Sequence, residues 1–306
     1  MSDRQSGIII GTRGSDLALW QANRVKDQLA EQGVSCELKI IKTQGDKIQH
    51  LSFDKLEGKG FFTKEIEQAL LDESVDLAVH SHKDLETEQP EGLSIAAVSD
   101  RENPSELLLI RPESVDTSKP LSLKSGAKVG TSSARRRSQL LFFREDLNLD
   151  DLRGNVPTRI QKLRDGQYDA IVIALAGVSR LELPLDDFFV EILDPTAFIP
   201  APAQGVLALQ IREGDEELRQ TLQALNDDQV ATTTHIERAI LNRCQGGCKL
   251  PLGVYCREEE GQFQLWVSYA AKERDPLKRF FLEGKDGEAL VQEAMDRIQD
   301  QVKKKS

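Results

Sequence analysis

A carboxylate beside an ammonium group follows an apolar run in the first third of the chain. Asp84 comes directly after Lys83, and residues 76–80 before them predict a buried strand. Ligands of α/β enzymes bind where such strands end. An adjacent ammonium group favours the charged form of a carboxylate, which can then transfer a proton or stabilise a cation. Asp84 is therefore a candidate acid/base group, although an aspartate at a strand end often serves only as a cap.

Two groups of residues contain metal-ligand types but lack the spacing that metal sites need. His80 and His82 stand two residues apart, with no third ligand near them in the sequence. Cys244 and Cys248, even with Cys256, lack the paired spacing of a zinc cluster. We therefore expect no metal.

One thiol lies on a glycine-rich segment. Cys248 follows Gly246 and Gly247, which leave the backbone open and the side chain accessible. A loop thiol of this kind is a nucleophile or a covalent attachment point if its thiolate is supported. Cys36, in contrast, lies in a predicted strand and is expected to be a packed apolar residue.

Positive charge is concentrated between residues 126 and 180. Ten Lys and Arg stand against six Asp and Glu there, in a chain whose net charge is -11. Arg135 and Arg136 lie just inside a predicted helix, and Arg153 and Arg159 bracket the start of the next one. Helix N-termini and guanidinium groups both bind carboxylates and phosphates. The pattern favours a site for a small polyanion, with an ordinary solvated helix face as the alternative.

The composition excludes several classes of protein. With 306 residues, 39% hydrophobic and 30% charged, the chain is long enough for two or three globular domains. The net charge of -11 argues against a general affinity for nucleic acid, and no run of about 18 apolar residues is available to span a membrane. Four cysteines and an N-terminus without a signal-peptide pattern lead us to expect a cytoplasmic protein with reduced thiols. No Ser-His-Asp order, P-loop or GxGxxG motif supports a hydrolase, an NTPase or a dinucleotide enzyme.

Short apolar runs alternate with helical patterns and predict two similar α/β blocks, each a parallel sheet with helices on both faces. The first block begins with a strand at 7–11 and a helix that Ser15 caps. The second begins near residue 105 and ends at a proline-rich linker over 195–202. From about residue 226 the pattern becomes α+β. The other predicted strands lie at 34–41, 76–80, 128–130, 168–174, 205–211, near 254 and at 263–270. The other predicted helices lie at 63–72 and 232–242, with one that ends at 143, one that begins at 155 and one that begins at about 287.

Several segments, taken in order, match one family of proteins. The matching segments are Thr12–Ser15, Leu17–Ala22, Gly58–Glu65, Ala78–Asp84, Gly130–Arg136, Leu152–Val156 and Gln245–Cys248. Each is weak alone, but all of them in this order are highly specific. The sequence resembles the porphobilinogen deaminase family over essentially its whole length.

The resemblance implies a fold of two doubly wound α/β domains like type 2 periplasmic binding proteins, plus a small C-terminal α+β domain. Domain 1 would contain residues 1–102 and 198–222 and form the active-site cleft. Domain 2 would contain the arginine-rich residues 103–197, on the cofactor side. Domain 3 would contain residues 226–306 and the cofactor cysteine. The boundaries near 105, 195–202 and 226 that the pattern of elements predicts agree with this division.

The resemblance also implies a transferase of heme- and chlorophyll-type tetrapyrrole biosynthesis. It would join four porphobilinogen molecules head to tail into hydroxymethylbilane and release ammonia each time. Growth would start on a dipyrromethane cofactor attached through a thioether to Cys248. Asp84 would be the catalytic group, because it can accept pyrrole N–H hydrogen bonds, stabilise the cation left when ammonia departs and assist proton transfer. An acetate and a propionate on each pyrrole would account for an arginine-lined cleft in an acidic protein.

The remaining site residues follow from the same resemblance. Those for the cofactor, besides Cys248, are Ser81, Lys83, Thr131, Ser133, Arg135 and Arg136. Those for the substrate and the growing chain are Arg13, Ser15, Gln21, Lys59, Phe62, Arg153, Arg159, Arg180 and Gln204. Arg137, one step further round the helix, is expected to face solvent.

The sequence departs from the family's pattern at a few positions. Gln44 replaces the arginine of an Arg-Gly-Asp motif, Glu86 replaces a proline, and Ala203 replaces a glycine. Asn103, Ser105 and Glu106 stand in place of Asp, Arg and Asp in an Arg-Glu-Asp-Pro-Arg-Asp motif. These positions lie in a loop and an interdomain hinge, so we expect them to bear on rate and hinge motion more than on the reaction type.

Two other classes of protein remain open from the sequence. A non-catalytic small-anion-binding or sensor protein on the same two-lobed fold would need the arginines but neither Asp84 nor the Gly-Gly-Cys loop. A nucleic-acid-binding protein would use Arg135–Arg137 alone, against the net charge of -11. We expect a monomer that binds porphobilinogen, with no nucleic-acid or membrane partner.

Overall fold

The structure is a computed structural model that describes residues 7–43, 63–244 and 250–303. The chain forms two compact units and passes between them three times. The first unit contains the residues up to Arg101 and the segment Val206–Ala231. The second contains Glu102–Gly205 and the residues from Thr232 onwards. The finer division into three domains stays a prediction.

The first unit is built on a sheet of five strands covered by helices. Its strands are β1 (Ile8–Thr12), β2 (Cys36–Ile40), β3 (Leu77–Ser81), β4 (Leu93–Val98) and β10 (Leu207–Arg212), in the spatial order β2-β1-β3-β10-β4. Its helices are α1 (Asp16–Glu31), α2 (Lys64–Leu71) and α6 (Glu216–Leu222). Ile8 and Ile10 pack with α1 and α6, while Ile9 packs with α2. Because successive strand side chains point to opposite faces, helices cover both sides of this sheet.

The second unit contains a sheet of the same size. Its strands are β5 (Glu106–Ile110), β6 (Lys128–Gly130), β7 (Asn148–Asp150), β8 (Ala170–Ala174) and β9 (Phe189–Leu193), in the order β7-β6-β8-β5-β9. Its helices are α3 (Ala134–Phe143), α4 (Val156–Arg164) and α5 (Leu175–Arg180). Leu140 of α3 packs on one face and Ile160 of α4 on the other. Helices on both faces of both sheets confirm the predicted mixed α/β class.

The prediction of fully parallel sheets is wrong. β1, β2 and β3 are parallel to one another, as are β6, β7 and β8. In contrast, β10 runs antiparallel to both of its neighbours, and so does β5. Each of these two is the first strand after the chain enters its unit from the other one. No helical crossover within the sheet therefore sets its direction.

The C-terminal part of the second unit is a separate small α+β layer, as predicted. Its elements are α7 (Asp228–Arg243), whose first turn belongs to the first unit, and β11 (Leu252–Glu259), β12 (Gln262–Tyr269), β13 (Lys278–Gly284) and α8 (Gly287–Lys303). The three strands form an antiparallel meander, and Val254 and Leu265 of its inner face pack with Ile240 and Leu290 of the helices. β13 was not predicted, because Lys and Glu interrupt its apolar pattern.

Sequence signals located most of the predicted helix starts. Ser15 caps α1, and Asn155 caps α4 by accepting a hydrogen bond from Thr158 N at 2.9 Å. The exception is α7, which begins at Asp228 instead of the predicted Thr232. Among the helices that the structure describes, none is both long and apolar enough to cross a bilayer.

Candidate active site

Arg13 and Ser15 follow the end of β1 in the first unit. Arg13 is partly exposed, and Ser15 Oγ accepts a hydrogen bond from Ala18 N at 3.4 Å. The buried Thr12 donates its hydroxyl to the Ala18 carbonyl oxygen at 3.1 Å, which ties the turn to the helix. Because β1 and β3 are parallel neighbours, Arg13 lies at the same edge of the sheet as the residues that follow β3.

Gln21 and Ser81 meet at this edge. Gln21 is buried on α1, and its Nε2 donates to Oγ of Ser81, the last residue of β3, at 2.8 Å. The sequence assigned these two residues to different ligands. The structure joins them, so each orients the other's side chain.

Asp84 ends a single 3₁₀ turn, His82–Asp84, that follows β3 directly. Asp84 is exposed, Lys83 is half-buried and His82 is buried. The turn is fixed to the sheet because His82 N donates to the Val206 carbonyl oxygen at 2.9 Å. A carboxylate that is exposed on an anchored turn is accessible to a ligand, while its backbone is held in place. This placement suits an acid/base group.

His80 belongs to a buried polar network. Its Nε2 lies 3.1 Å from Gln210 Oε1 on β10. Gln210 Nε2 donates to Gln89 Oε1 at 2.8 Å and to Glu67 Oε1 at 3.3 Å, so its oxygen is the atom that accepts from His80. Burial lowers the pKa of His80 to about 4, which leaves the ring neutral at pH 7. In the part of the chain that the structure describes, no group of three or more His, Cys, Asp or Glu is arranged to hold a metal ion.

Thr131 and Ser133 form the corresponding turn in the second unit. Thr131 follows β6, is buried, and accepts a hydrogen bond from Ser133 N at 3.3 Å on its Oγ1. Ser133 is the N-cap residue of α3, but its side chain makes no capping hydrogen bond. The Ser133 hydroxyl therefore accepts no hydrogen bond from the first turn of its helix, whereas the Ser15 hydroxyl does.

Arg135 and Arg136, on the first turn of α3, are buried on the same carboxylate. Arg135 Nη2 lies 2.6 Å from Glu106 Oε1, and Arg136 Nη2 lies 2.7 Å from Glu106 Oε2. Arg135 Nη1 also donates to the Ile199 carbonyl oxygen at 3.0 Å. Arg136 Nη1 donates to the Val172 carbonyl oxygen at 3.0 Å, whereas its Nε is buried without a hydrogen-bond partner among the described residues. Burial lowers the pKa of Arg135, and the adjacent Glu106 opposes this shift.

Arg137 does not face solvent, so that expectation is wrong. Its side chain is only 17% exposed, and its Nε lies 2.8 Å from Glu273 Oε1 in the loop between β12 and β13. Ser138 donates its hydroxyl to the Glu273 carbonyl oxygen at 2.8 Å. The loop of the C-terminal sheet therefore covers this surface of α3.

Arg153 and Arg159 stand at the start of α4 and are both partly exposed. Arg153 Nη2 lies 3.9 Å from Asp151 Oδ2, too long for a hydrogen bond. Arg159 Nε donates to the Gly154 carbonyl oxygen at 2.8 Å. Both arginines therefore lie beside the turn before α4. The N-terminus of a helix also favours anions.

Arg180 and Gln204 lie against the segments by which the chain enters and leaves the second unit. Arg180 Nη2 donates to the Gly205 carbonyl oxygen at 2.6 Å. Gln204 Nε2 donates to the Pro104 carbonyl oxygen at 2.8 Å. Both side chains are buried, so part of their hydrogen-bonding capacity serves these segments.

Four residues singled out in the sequence lie outside the described residues: Gln44, Lys59, Phe62 and Cys248. One residue of the site was missed. Glu106 gave only a weak signal, a carboxylate directly before the apolar residues 107–110. Such a charge at the start of a buried strand needs a charged partner, but the partner is not identifiable from the sequence.

The fold and these residues define an α/β protein of two units, with a carboxylate-bearing turn in one and a buried arginine pair in the other. A family model described as porphobilinogen deaminase, dipyromethane cofactor binding domain, matches residues 8–220. The chain is 46% identical over 260 residues to the porphobilinogen deaminase of Maridesulfovibrio salexigens, which covers 84% of this chain and 82% of that protein. It is 39% identical over 296 residues to that of Geobacillus kaustophilus, over 96% of this chain and 94% of that protein.

Among solved structures, an ancestral cationic amino acid solute binding protein aligns with a TM-score of 0.43 at 15% identity, over 72% of this chain and 89% of that one. The chain belongs to the porphobilinogen deaminase family. The predictions of an enzyme of tetrapyrrole biosynthesis and of a dipyrromethane cofactor are confirmed. A non-catalytic anion-binding or sensor protein is not supported.

Proposed function

We propose that this chain joins four porphobilinogen molecules head to tail into hydroxymethylbilane and releases one ammonia at each step. Membership of the family is the observation that carries the proposal. The exposed Asp84 and the buried pair of Arg135 and Arg136 support it, since the reaction needs an acid/base group and each pyrrole ring brings two carboxylates.

The arginine pair fits a cofactor that carries carboxylates. Arg135, Arg136 and Glu106 together have a net charge of +1, and all three are buried. A buried charge is costly unless it is paired, and Arg136 Nε lacks an acceptor among the described residues. A ligand carboxylate would supply both the negative charge and the acceptor. When bound, the dipyrromethane supplies the pyrrole carbon to which the first substrate is joined.

The residues that would hold the cofactor differ in chemical type. In the second unit, Arg135 and Arg136 would pair with its carboxylates, and the hydroxyls of Thr131 and Ser133 would donate hydrogen bonds to them. Ser133 suits this role because its side chain makes no capping hydrogen bond. In the first unit, Ser81 and Lys83 have the same proposed role.

Asp84 would act on the pyrrole nitrogen and on the positive charge that develops there as ammonia leaves. Its carboxylate accepts the pyrrole N–H hydrogen bond. It also stabilises the positive charge, and this stabilisation increases as the distance between the carboxylate and the charge decreases. The same oxygen atoms can take up the proton that the ring carbon loses when the new bond forms.

The substrate and the growing chain would be held by residues on several turns. They are Arg13, Ser15, Gln21, Arg153, Arg159, Arg180 and Gln204, together with Lys59 and Phe62 outside the described residues. Arg13, Arg153 and Arg159 are partly exposed, which suits a ligand that comes and goes. Arg180 and Gln204 are buried beside the crossing segments and would have to share their donors with a carboxylate.

The cofactor's attachment point is proposed to be Cys248. Its neighbour Cys244 is a poor alternative, because burial raises the pKa of that thiol to about 11 and so suppresses the reactive thiolate. The test is the intact mass of the purified protein. Wild-type and Cys244→Ala proteins should exceed their sequence masses by one dipyrromethane, and Cys248→Ala should not. An unmodified Cys248 in fully active enzyme would refute the attachment.

Four further proposals concern the molecule as a whole. Separate hydrophobic cores in the two large sheets and the C-terminal layer support the division into three domains. The low number of cysteines, four in 306 residues, supports a cytoplasmic location. The net charge of -11 supports the absence of a nucleic-acid partner. We propose that the enzyme is a monomer, which light scattering would test.

A further inference from the structure

Glu106 is a fully buried carboxylate at a specific place in the fold. It is the first residue of β5, whose five residues are all buried, and it follows the segment by which the chain enters the second unit. A charge in such a strand is strongly destabilising unless partners compensate it. Its partners are the two arginines of α3 that are proposed to hold the cofactor.

The geometry of the contact is unusual for two consecutive helical residues. Side chains at adjacent helix positions point about 100° apart and do not face each other. Arg135 and Arg136 nevertheless place their Nη2 atoms 2.6 and 2.7 Å from the two oxygens of Glu106. The carboxylate therefore makes the two guanidinium groups converge against their mutual repulsion.

The other N–H donors of Arg135 and Arg136 show which of them stay available to a ligand. An arginine has five N–H donors in a rigid fork. One Nη of each arginine is directed at Glu106 and the other at a main-chain carbonyl oxygen, Ile199 for Arg135 and Val172 for Arg136. Arg136 Nε stays unpartnered among the described residues although it is buried. The fixed orientation thus presents a positive charge and a donor that none of the described residues uses.

We infer that Glu106 is a positioning residue for cofactor binding: it holds Arg135 and Arg136 side by side and reduces the charge of the pair from +2 to +1. This inference rests on the proposed function, because it assigns Glu106 a role through the two cofactor arginines. The structural alternative is that Glu106 contributes only to folding of the second unit. The two roles predict different results for variants of comparable stability. Only the positioning role predicts slower cofactor loading.

Two substitutions separate charge from shape. In Glu106→Gln the side chain keeps its size, but the amide –NH2 group faces a guanidinium donor and the cluster charge returns to +2. In Glu106→Asp the charge is kept, but the carboxylate is one methylene shorter and reaches the two arginines less well. Asp169→Asn is the matched control, since Asp169 is a structural carboxylate of the same unit that accepts from Ser114 Oγ at 2.8 Å and from Lys128 N at 2.7 Å.

The experiment follows cofactor assembly on full-length apo-enzyme. Each variant is incubated with porphobilinogen, and the conversion of apo- to holo-enzyme is followed by intact mass, alongside the melting temperature. We expect Glu106→Gln to load at least about tenfold more slowly than Asp169→Asn, the effect of losing one charge-assisted contact. Glu106→Asp should load at an intermediate rate, and the KM of the holo fraction for porphobilinogen should stay within about twofold of wild type.

Two results would overturn the inference. The first is that Glu106→Gln loads as fast as Asp169→Asn, which would leave only a structural role. The second is that Glu106→Asp is as slow as Glu106→Gln, which would show that charge is not what matters. If Glu106→Gln does not fold, Glu106→Asp must still load more slowly than Asp169→Asn, and equal rates refute the inference. Arg136→Leu serves as the separate check, since normal loading in that variant would refute the proposed arginine roles themselves.

Discussion

The two five-stranded sheets share a strand order and a first turn, yet they differ in the charged groups that follow their strands. In both, a Gly-Thr pair lies at the end of the first parallel strand, at Gly11-Thr12 and at Gly130-Thr131, and a serine precedes the next helix. In the first sheet Ser15 caps its helix, and the exposed carboxylate of Asp84 follows the third strand. In the second sheet Ser133 makes no cap, and two buried arginines begin the helix.

This contrast teaches how one framework serves two tasks. A group that exchanges protons with a substrate must stay accessible, and Asp84 is exposed. Cations that hold a carboxylate gain from burial, because charge interactions are stronger where the dielectric constant is low, and Arg135 and Arg136 are each only 6% exposed. The first sheet is thus suited to chemistry and the second to anchoring a ligand.

The largest effect is expected when the first sheet loses its accessible carboxylate. Asp84→Asn keeps the shape but removes the negative charge that opposes a developing cation, so kcat should fall by at least about 100-fold. Asp84→Glu should retain more activity, because the charge survives at a displaced position. Steady-state turnover gives the loss, and intact mass should show that the cofactor is still attached.

The control is Glu88→Gln, which neutralises another exposed carboxylate in the same loop. Its kcat should stay within about twofold of wild type, since an isolated exposed charge contributes little. Near-normal turnover in Asp84→Asn would assign the chemistry elsewhere and break the comparison between the two sheets.

The second prediction compares the loss of one arginine from each sheet. Arg136→Leu should leave most of the protein without cofactor, because it removes a buried partner of both Glu106 and the proposed ligand. Arg13→Leu should keep the cofactor but stall elongation, so that enzyme–intermediate complexes accumulate. Both are read from intact masses after brief exposure to porphobilinogen. A cofactor-free Arg13→Leu protein would show that Arg13 itself anchors the cofactor, against its proposed role in elongation.

The third prediction concerns the buried but neutral His80 of the first sheet. Burial lowers its pKa from 6.5 to about 4, so the unfolded chain binds a proton that the folded protein excludes over this range. The free energy of unfolding should therefore fall as the pH drops from 6.5 towards 4, by up to about 3 kcal/mol from this group.

Urea unfolding at pH 7 and pH 5 measures this effect. His80→Gln should lose less stability between the two values than wild type, whereas His235→Gln, which changes an exposed histidine, should behave as wild type does. An unchanged pH dependence in His80→Gln would show that other groups cause the loss.

The smallest effect is expected at Arg137, which adjoins the arginine pair but contacts Glu273 instead of Glu106. Arg137→Gln should reduce the free energy of unfolding by about 1 kcal/mol or less, because the pair is partly exposed to solvent. Cofactor loading should be retained. A loading defect as large as that of Arg136→Leu would mean that contact with Glu106 is not what distinguishes the cofactor arginines.

Local patterns predicted much of the fold. The apolar runs of β1, β3 and β8 and the caps at Ser15 and Asn155 follow from side-chain type and spacing over a few residues. The direction of β10 and β5 could not be predicted, because it depends on where the chain re-enters each unit. The strand β13 was missed because its charged residues mask the apolar alternation, and β4, β5, β7, β9, α5 and α6 were not predicted either.

The candidate site divides in the same way. The sequence by itself determined that Asp84 follows a strand and that Arg135 and Arg136 begin a helix, since both statements depend on neighbours along the chain. Only the tertiary structure decided that the two arginines share Glu106 and that Arg137 lies under Glu273, because these partners are 29, 30 and 136 residues away. The pairing of buried charges is set by which distant segments the packed core brings together, and a local pattern carries no record of that choice.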